Sequence, residues 1–213
     1  MREVFAAAGV IPVLVFDDAN HAVPTAEALI KGGLDVLEVT LRTNASWSAL
    51  SNIIDSLPEA SVGVGTVLTT DQMKQAKEVG AAFAVSPGFD PTLVACAIDL
   101  DLFYMPGVAT ASEVMQAHAM ELRCLKFFPA EAMGGTAMLS NFVSPFGGIE
   151  FCPTGGIHES NLVKYLSLPN VFCVGGTWVA TKEDMNASNW RAISAKAKSA
   201  KSVAQTISEG DRR

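Results

Sequence analysis

The sequence is poor in the residue patterns that build metal centres and disulfide frameworks. Its four cysteines, Cys96, Cys124, Cys152 and Cys173, form no CxxC pair and lie within apolar runs, and its three histidines form no HxH or HExxH motif. A zinc site needs ligands at closer spacing. We therefore predict buried free thiols, a reducing compartment and no metal ion.

Positive charge and long apolar runs are also scarce. The formal net charge is −7 and lysines and arginines do not cluster, which disfavours a nucleic-acid partner because such affinity comes largely from clustered cations. Apolar runs stay below the roughly 20 residues of a membrane span, so we expect no membrane insertion and a cytoplasmic location. The apolar stretch 4–16 resembles part of a signal peptide, but Asp17 and Asp18 stand where a cleavage site should be; we interpret it as a short helix and a first strand.

Apolar character is abundant and arrives in short runs. Hydrophobic residues make up 49% of the chain, enough for a sizeable core. Eight runs of near strand length alternate with amphipathic, helix-like segments. The runs cover 10–16, 36–41, 61–67, 83–87, 102–108, 123–129, 150–156 and 171–178. Near-continuous hydrophobicity is typical of strands buried on both faces of a parallel sheet.

Helix boundaries carry recognisable signals. Starts are predicted at Thr70-Asp71, at Asp90-Pro91 and at Thr110, and ends at Gly33, Gly80 and Glu121. We expect the last helix over 189–207 and a frayed tail over 208–213.

Eight strand and helix units predict a compact α/β protein, a (β/α)₈ TIM barrel with a short N-terminal helix. We expect one domain over 1–213, with its core at about 10–207. The alternative is an open doubly wound sheet, but no G-x-G-x-x-G follows the first run, and GVG at 63–65 is a weak signal.

Charged residues inside two of the runs are the candidates for chemistry. Lys126 lies in the apolar run RCLKFFP, where an ammonium group is costly unless it is paired or employed as an amine nucleophile. In VLEVTLR, Glu38, Thr40 and Arg42 share a parity and hence one strand face. If Lys126 and Glu38 both point into a barrel interior, they are close neighbours. A structural ion pair and an acid/base pair both remain open at this point.

Two glycine pairs lie near the ends of the seventh and eighth runs, in TGGIHES at 154–160 and VGGTW at 174–178, and are expected to follow the seventh and eighth strands. Barrels frequently build a phosphate site from these loops, because glycine lets backbone amides approach an anion closely. Thr66 and Ser86-Pro87, at the ends of the third and fourth runs, add a polar rim or serve as turn residues. His158 is expected to flank a helix start. No G-x-S-x-G elbow occurs, which disfavours a hydrolase. The lysine, glutamate and arginine within the runs, together with the glycine pairs, favour a Schiff-base lyase acting on a phosphorylated keto acid.

The ordered blocks of the chain resemble the class I 2-keto-3-deoxy-6-phosphogluconate (KDPG) and 4-hydroxy-2-oxoglutarate (KHG) aldolases. The similarity covers about 10–180 and rests on LEVTLRT, VGVGTVL, FAVSPG, MPGVATASEVMQA, KFFPAEAMGG, FCPTGGI and VGGTWV. The resemblance implies reversible cleavage of KDPG to pyruvate and glyceraldehyde 3-phosphate, and cleavage of KHG to pyruvate and glyoxylate. It would belong to carbohydrate metabolism, as in the Entner–Doudoroff pathway.

The same resemblance implies a role for each matching residue. Lys126 would form the imine and Glu38 would act as acid and base. The pyruvate and its carboxylate would be held by Arg42, Thr66, Pro87, Phe128 and Thr154. The phosphate would be held by Gly155, Gly156, Gly175, Gly176 and Thr177.

The family also implies a homotrimer without metal or organic cofactor. Thr177 stands where serine is the expected family residue and keeps the hydroxyl, whereas Met133 replaces a smaller or more polar residue. Arg42 and Thr154 resemble the gluconate branch of the family. The alternative function is a phosphosugar isomerase, or a non-catalytic phosphometabolite-binding barrel, in which Lys126 only pairs with Glu38.

Overall fold

The computed structural model describes residues 1–210, with Ser208 the last residue whose side chain is described. It is an α/β structure in which short strands alternate with helices along the chain. The strands are β1 Val10–Leu14, β2 Val36–Thr40, β3 Ser61–Gly65, β4 Phe83–Val85, β5 Phe103–Met105, β6 Gly107–Val108, β7 Cys124–Phe127, β8 Glu150–Pro153 and β9 Val174–Gly176. The α-helices are α1 Arg2–Ala8, α2 Ala22–Lys31, α3 Ser46–Ser56, α4 Thr70–Glu78, α5 Pro91–Asp99, α6 Ala111–Ala119, α7 Gly135–Phe142, α8 Glu159–Leu166, α9 Lys182–Asn186 and α10 Trp190–Gly210.

Each predicted run holds a strand, and the strand pairs are parallel. Six strands form one curled sheet in the order β5-β4-β3-β2-β1-β9, and three form a second in the order β6-β7-β8. Single parallel bridges join Phe151 to Val171 and Thr154 to Gly175, beside β8 and β9. The α/β class and the parallel arrangement are thereby confirmed.

The fifth predicted run, which was expected to form one strand, is split at Pro106 into β5 and β6. Proline has no N–H to donate to a ladder. β5 therefore pairs with β4, β6 pairs with β7, and the carbonyl of Pro106 accepts a hydrogen bond from the N–H of Lys126 at 2.9 Å. Through this hydrogen bond and the β6–β7 pairing, the chain around Pro106 connects the two sheets beside Lys126.

Most predicted helix boundaries are confirmed. Asp90 caps α5 with Pro91 at its first position, and Thr110 caps α6 in a capping box with Glu113. Residues Gly33, Gly80 and Glu121 follow helix ends in the left-handed region, with φ of 93°, 83° and 63°.

Two boundaries differ from the prediction. The cap of α4 is Thr69, one residue before the predicted start, because its hydroxyl and the side chain of Gln72 complete a capping box. The last helix continues three residues beyond Ile207, to Gly210, while the predicted tail residues 211–213 lie outside the described part of the chain.

A core of buried side chains lies on the face of the sheets that is turned away from most helices. It includes Val36, Val85, Met105 and Cys152, which come from both sheets. Phe5 of α1 closes one end of this core, with ring centroids 4.8 Å from Phe83, 5.6 Å from Phe103 and 6.3 Å from Phe172. Side chains from the inner faces of both sheets therefore pack into one hydrophobic cluster. None of the helices within 1–210 combines the length and the apolar character that a bilayer-spanning segment requires.

Candidate active site

Lys126 of β7 and Glu38 of β2 meet in the interior between the two sheets. The distance from Lys126 Nζ to Glu38 Oε1 is 3.3 Å, and the two side chains are 3% and 4% exposed. Glycine at position 65 makes room for the carboxylate, since a Cβ there would lie 2.0 Å from Oε1. The predicted proximity of the two charged groups is thus observed.

The pair has the arrangement that a proton-transfer couple needs. A carboxylate within hydrogen-bond reach of an amine can accept its proton and return it to a reacting group. The Nζ atom also lies 5.3 Å from the centroid of the Phe128 ring, which covers the amine on another side. A nearly dry amine beside a base can act as a nucleophile toward a carbonyl carbon.

A second cationic group lies at the carboxyl end of β2. Arg42 Nε donates a hydrogen bond to Thr66 Oγ1 at 3.1 Å. Thr66 directly follows β3 and adopts φ of 62°, a left-handed conformation that costs a non-glycine residue about 1–3 kcal/mol. Strained backbone of this kind is concentrated at functional sites, where the surrounding structure maintains it.

A cavity of about 90 Å³ opens beside these groups. Seven of the twelve site residues that the sequence indicated line it: Arg42, Phe128, Thr154, Gly155, Gly156, Gly176 and Thr177. Two further residues line the cavity, Val13 and Ile157, which were not predicted as site residues. Val13 is the register partner of Glu38 across the β1–β2 ladder, so its position could have been inferred from the pairing of the first two runs.

The first glycine pair forms a tight turn after β8. Gly155 and Gly156 have φ of 99° and 79°, which favours glycine, and a Cβ on Gly156 would come within 2.6 Å of the Glu131 side chain. Backbone N–H groups of Ala130 and Glu131 donate to the carbonyls of Thr154 and Gly155, at 2.8 and 3.1 Å. These two hydrogen bonds therefore connect the glycine turn to the loop that follows β7, the strand of Lys126.

The second glycine pair differs from its predicted position in a loop. Gly175 and Gly176 are the last residues of strand β9 rather than part of a turn after it. Gly175 lies beneath Thr154, because a Cβ there would approach Thr154 Oγ1 to 2.4 Å. It supports the wall of the cavity, and Gly176 and Thr177 lie at the surface of the cavity itself.

Pro87 is one of five predicted site residues that do not line the cavity; the others are Glu38, Thr66, Lys126 and Gly175. Pro87 packs against Gly107, where a Cβ would lie 2.3 Å from the Pro87 carbonyl group. The neighbouring Ser86 is buried, and its hydroxyl donates to the carbonyl of Val67 at 2.5 Å. Ser86 thus has a structural role, in agreement with the alternative interpretation of Ser86-Pro87 as turn residues. Met133 is 36% exposed on the short 3₁₀ helix Glu131–Met133. His158 caps α8, as expected for a residue at a helix start.

The described part of the chain contains no group of three or more histidine, cysteine, aspartate or glutamate side chains placed to hold a metal ion. The four cysteines are free, and Cys152 and Cys173 are buried. Burial raises the pKa of Cys124, at the edge of the same interior, to about 11. The Cys124 thiol therefore stays protonated near neutral pH.

A family model described as KDPG and KHG aldolase matches residues 1–196. The chain belongs to the KDPG and KHG aldolase family. The chain is 43% identical to the 2-dehydro-3-deoxy-phosphogluconate aldolase of Pseudoalteromonas atlantica, over 93% of each chain. It is also 43% identical to the KHG/KDPG aldolase of Escherichia coli K12, over 90% of each chain.

The same relationship appears among solved structures. The KDPG aldolase from Legionella pneumophila, with pyruvate captured at low pH as a covalent carbinolamine intermediate, superimposes with a TM-score of 0.91 at 43% identity. The match covers 93% of this chain and 97% of that one. This KDPG and KHG aldolase family member is therefore a carbon–carbon lyase of the class I aldolase type, and the family resemblance read from the sequence blocks is confirmed.

Proposed function

We propose that this aldolase reversibly cleaves KDPG to pyruvate and glyceraldehyde 3-phosphate through an imine on Lys126. The observation that carries the proposal is the 3.3 Å approach of Lys126 Nζ to Glu38 Oε1 in a nearly dry interior. A covalent pyruvate carbinolamine in the Legionella pneumophila relative adds support, because a carbinolamine is what an amine and a keto group form. This mechanism assigns the amine to Lys126.

The reaction begins with transfer of a proton from Lys126 to Glu38. The free Nζ attacks the C2 carbonyl carbon of the substrate, and Glu38 returns the proton to the oxygen. The resulting carbinolamine loses water and becomes a protonated imine, which withdraws electrons from the adjacent carbons.

Glu38, again a carboxylate, removes the proton of the C4 hydroxyl. The C3–C4 bond breaks, its electron pair enters the imine as an enamine, and glyceraldehyde 3-phosphate leaves. Protonation of C3 by Glu38 and hydrolysis of the imine release pyruvate and regenerate the amine.

Arg42 and Thr66 are proposed to hold the carboxylate of the pyruvyl portion. The guanidinium group of Arg42 offers several donors in a planar fork that suits a carboxylate. Phe128 and Thr154, which line the same cavity, would contact the pyruvyl group, and Pro87 would assist Arg42 and Thr66 in holding the carboxylate. These roles follow the family resemblance residue by residue.

The phosphate of the substrate is proposed to bind at the glycine turn. Gly155 and Gly156 expose backbone without side chains, Gly176 and Thr177 face the same cavity, and Gly175 supports Thr154. Backbone N–H groups and a hydroxyl suit a phosphate even in a chain with net charge −7.

KHG is proposed as a second substrate, giving pyruvate and glyoxylate. The relative from Escherichia coli is named for both activities, and the pyruvyl-binding groups of this chain would serve either substrate. KHG lacks the phosphoryl group, so it would not use the glycine turn. The binding energy that the phosphoryl group contributes would set the ratio of kcat/KM for KDPG to kcat/KM for KHG.

We also propose that the two sheets close into one eight-stranded barrel that forms a single domain, with β5 and β6 acting as one strand. Support comes from the Thr154–Gly175 and Phe151–Val171 bridges and from the Lys126 N–H bond to Pro106. Family membership further suggests a cytoplasmic homotrimer that needs no metal or organic cofactor.

The family relationship favours this proposal over a phosphosugar isomerase or a non-catalytic phosphate-binding barrel. Pyruvate release from KDPG and from KHG, followed by coupling to lactate dehydrogenase, tests it directly. The wild type should cleave KDPG, and Lys126→Arg should be inactive with both substrates because a guanidinium group supplies no free amine. Turnover of KDPG by Lys126→Arg would contradict the proposed nucleophile, and no turnover by the wild type would contradict the proposed substrate.

A further inference from the structure

Glu131 and Tyr165 form a hydrogen bond beside the glycine turn that the catalytic steps do not use. The Tyr165 hydroxyl donates to Glu131 Oε1. Tyr165 is 1% exposed in helix α8, the helix that follows the turn, whereas Glu131 is exposed and begins the short 3₁₀ helix Glu131–Met133 after β7. The bond therefore joins the loop that follows Lys126 to the element that follows Gly155 and Gly156.

The side chain of Glu131 lies directly over the glycine turn. A Cβ on Gly156 would come within 2.6 Å of Glu131 Cγ and 2.7 Å of its Cβ, and the Glu131 N–H donates to the Gly155 carbonyl at 3.1 Å. The buried Gly135 lies against the bond, since a Cβ there would lie 2.9 Å from the Tyr165 hydroxyl oxygen. The Glu131 side chain, although exposed to solvent, thus lies between Gly156 and Gly135.

We propose that Glu131, held by Tyr165, is a positioning residue that fixes the Gly155–Gly156 turn for the phosphoryl group of the substrate. The inference rests on the proposed function, because it assigns the turn to the phosphate. Without the bond, the stem of Glu131 loses its anchor and the turn gains conformations in which its N–H groups no longer point at one place. The loss then falls on substrates with a phosphoryl group, while imine chemistry at Lys126 proceeds as before.

The chain offers a matched set of variants. Tyr165→Phe removes the donor and Glu131→Ala removes the acceptor, whereas Glu131→Gln keeps an acceptor oxygen at the same reach. The sequence has two tyrosines, and Tyr104→Phe is the control because Tyr104 lies in β5, away from the cavity lining. Thermal unfolding of each variant first establishes that it is folded.

Steady-state kinetics with KDPG and KHG supply the readout that a purely structural role would not move. Tyr165→Phe and Glu131→Ala should each raise KM for KDPG about tenfold, the effect of one lost hydrogen bond to a charged group, with kcat within about twofold. Their kcat/KM for KHG should stay within about twofold of wild type. The double variant should lose no more than either single one, because both changes remove one interaction. Glu131→Gln, which keeps a hydrogen bond but to a neutral acceptor, should raise KM for KDPG less than Glu131→Ala does, and Tyr104→Phe should resemble the wild type.

Three outcomes would overturn the proposal. Equal losses with KDPG and KHG would mean a general contribution to folding of the site, and no change with either would mean that the bond positions nothing. Tighter KDPG binding by Glu131→Gln would mean that the charge of Glu131 opposes the phosphate more than its bond helps. If the wild type itself failed to cleave KDPG, the proposed function would fall first, so the two failures are distinguishable.

Discussion

Replacing both members of the Lys126–Glu38 pair should restore the stability that replacing either one removes. The variants are Lys126→Met, Glu38→Leu and the combination of the two, which put apolar side chains of similar size into an interior where the charged side chains are 3% and 4% exposed. All three should be inactive, since each lacks the amine or its base. Stability and activity thereby separate, and the structural and catalytic roles of the pair can be measured apart.

The expected magnitude follows from the burial of the pair. Removing one partner leaves the other as an uncompensated buried charge, which costs about 3–5 kcal/mol. Replacing both removes the desolvation penalty together with the attraction, so the free energy of unfolding of the double variant should lie within about 1 kcal/mol of the wild type or above it. The loss of about 3–5 kcal/mol expected for each single variant is a large share of the roughly 5–15 kcal/mol that stabilises a domain.

Urea unfolding at pH 7.5, followed by tryptophan fluorescence and by circular dichroism, measures these differences. With a slope of about 2 kcal/mol per M, the midpoints of the single variants should fall by about 1.5–2.5 M. Single variants within about 1 kcal/mol of the wild type would refute a dry, paired environment for Lys126. A double variant as unstable as the single ones would attribute the loss to packing instead of charge.

Three other predictions concern the turn, a thiol and an ion pair. Gly156→Val should raise KM for KDPG far more than for KHG, because Gly156 has φ of 79° and faces the Glu131 side chain. Iodoacetamide at pH 8 should leave Cys124 unmodified in the folded protein by mass spectrometry, since a pKa of about 11 leaves roughly 0.1% thiolate. The hydrogen bond from Lys196 lowers the pKa of Asp184 below its usual 3.8. The wild type should therefore melt at a higher temperature than Lys196→Met at pH 7, and this difference should vanish as the pH falls through the lowered pKa, because the wild type loses the charge of Asp184 there.

Each of these has an opposite result that counts against it. A Gly156→Val enzyme equally impaired with both substrates would place the turn outside the phosphate site. Rapid labelling of Cys124 at pH 8, without unfolding, would mean that water reaches this thiol. A constant difference in melting temperature between pH 7 and pH 2 would mean that the Lys196 contact acts through packing and not through the charge of Asp184.

Residue parity and local signals predicted much of the fold and the central pair. Strand alternation put Lys126 and Glu38 on inner faces, and the hydrogen-bonded contact between them is observed. Local chemistry also sufficed for Asp90 and Thr110, whose side chains cap the following helices. Such features depend on a few consecutive residues, which is why a sequence expresses them.

Features that depend on how distant segments pack were less accessible. Tyr165 and Glu131 are 34 residues apart, and each looks ordinary in its own segment. The break at Pro106 was predictable from the missing N–H, but its use as an acceptor for Lys126 depends on the neighbouring strand. The Thr69 cap could have been found from the T-x-x-Q spacing to Gln72, a signal that the adjacent Thr70 obscured.

Trapping the imine tests most directly whether Lys126 is the residue that forms it. The protein is incubated with pyruvate, reduced with borohydride, digested and mapped by mass spectrometry, with Lys126→Arg treated in parallel. A reduced pyruvyl adduct on Lys126 is expected in the wild type and none in the variant. An adduct on another lysine, or active enzyme that forms no adduct, would contradict the assignment of Lys126 as the imine-forming residue.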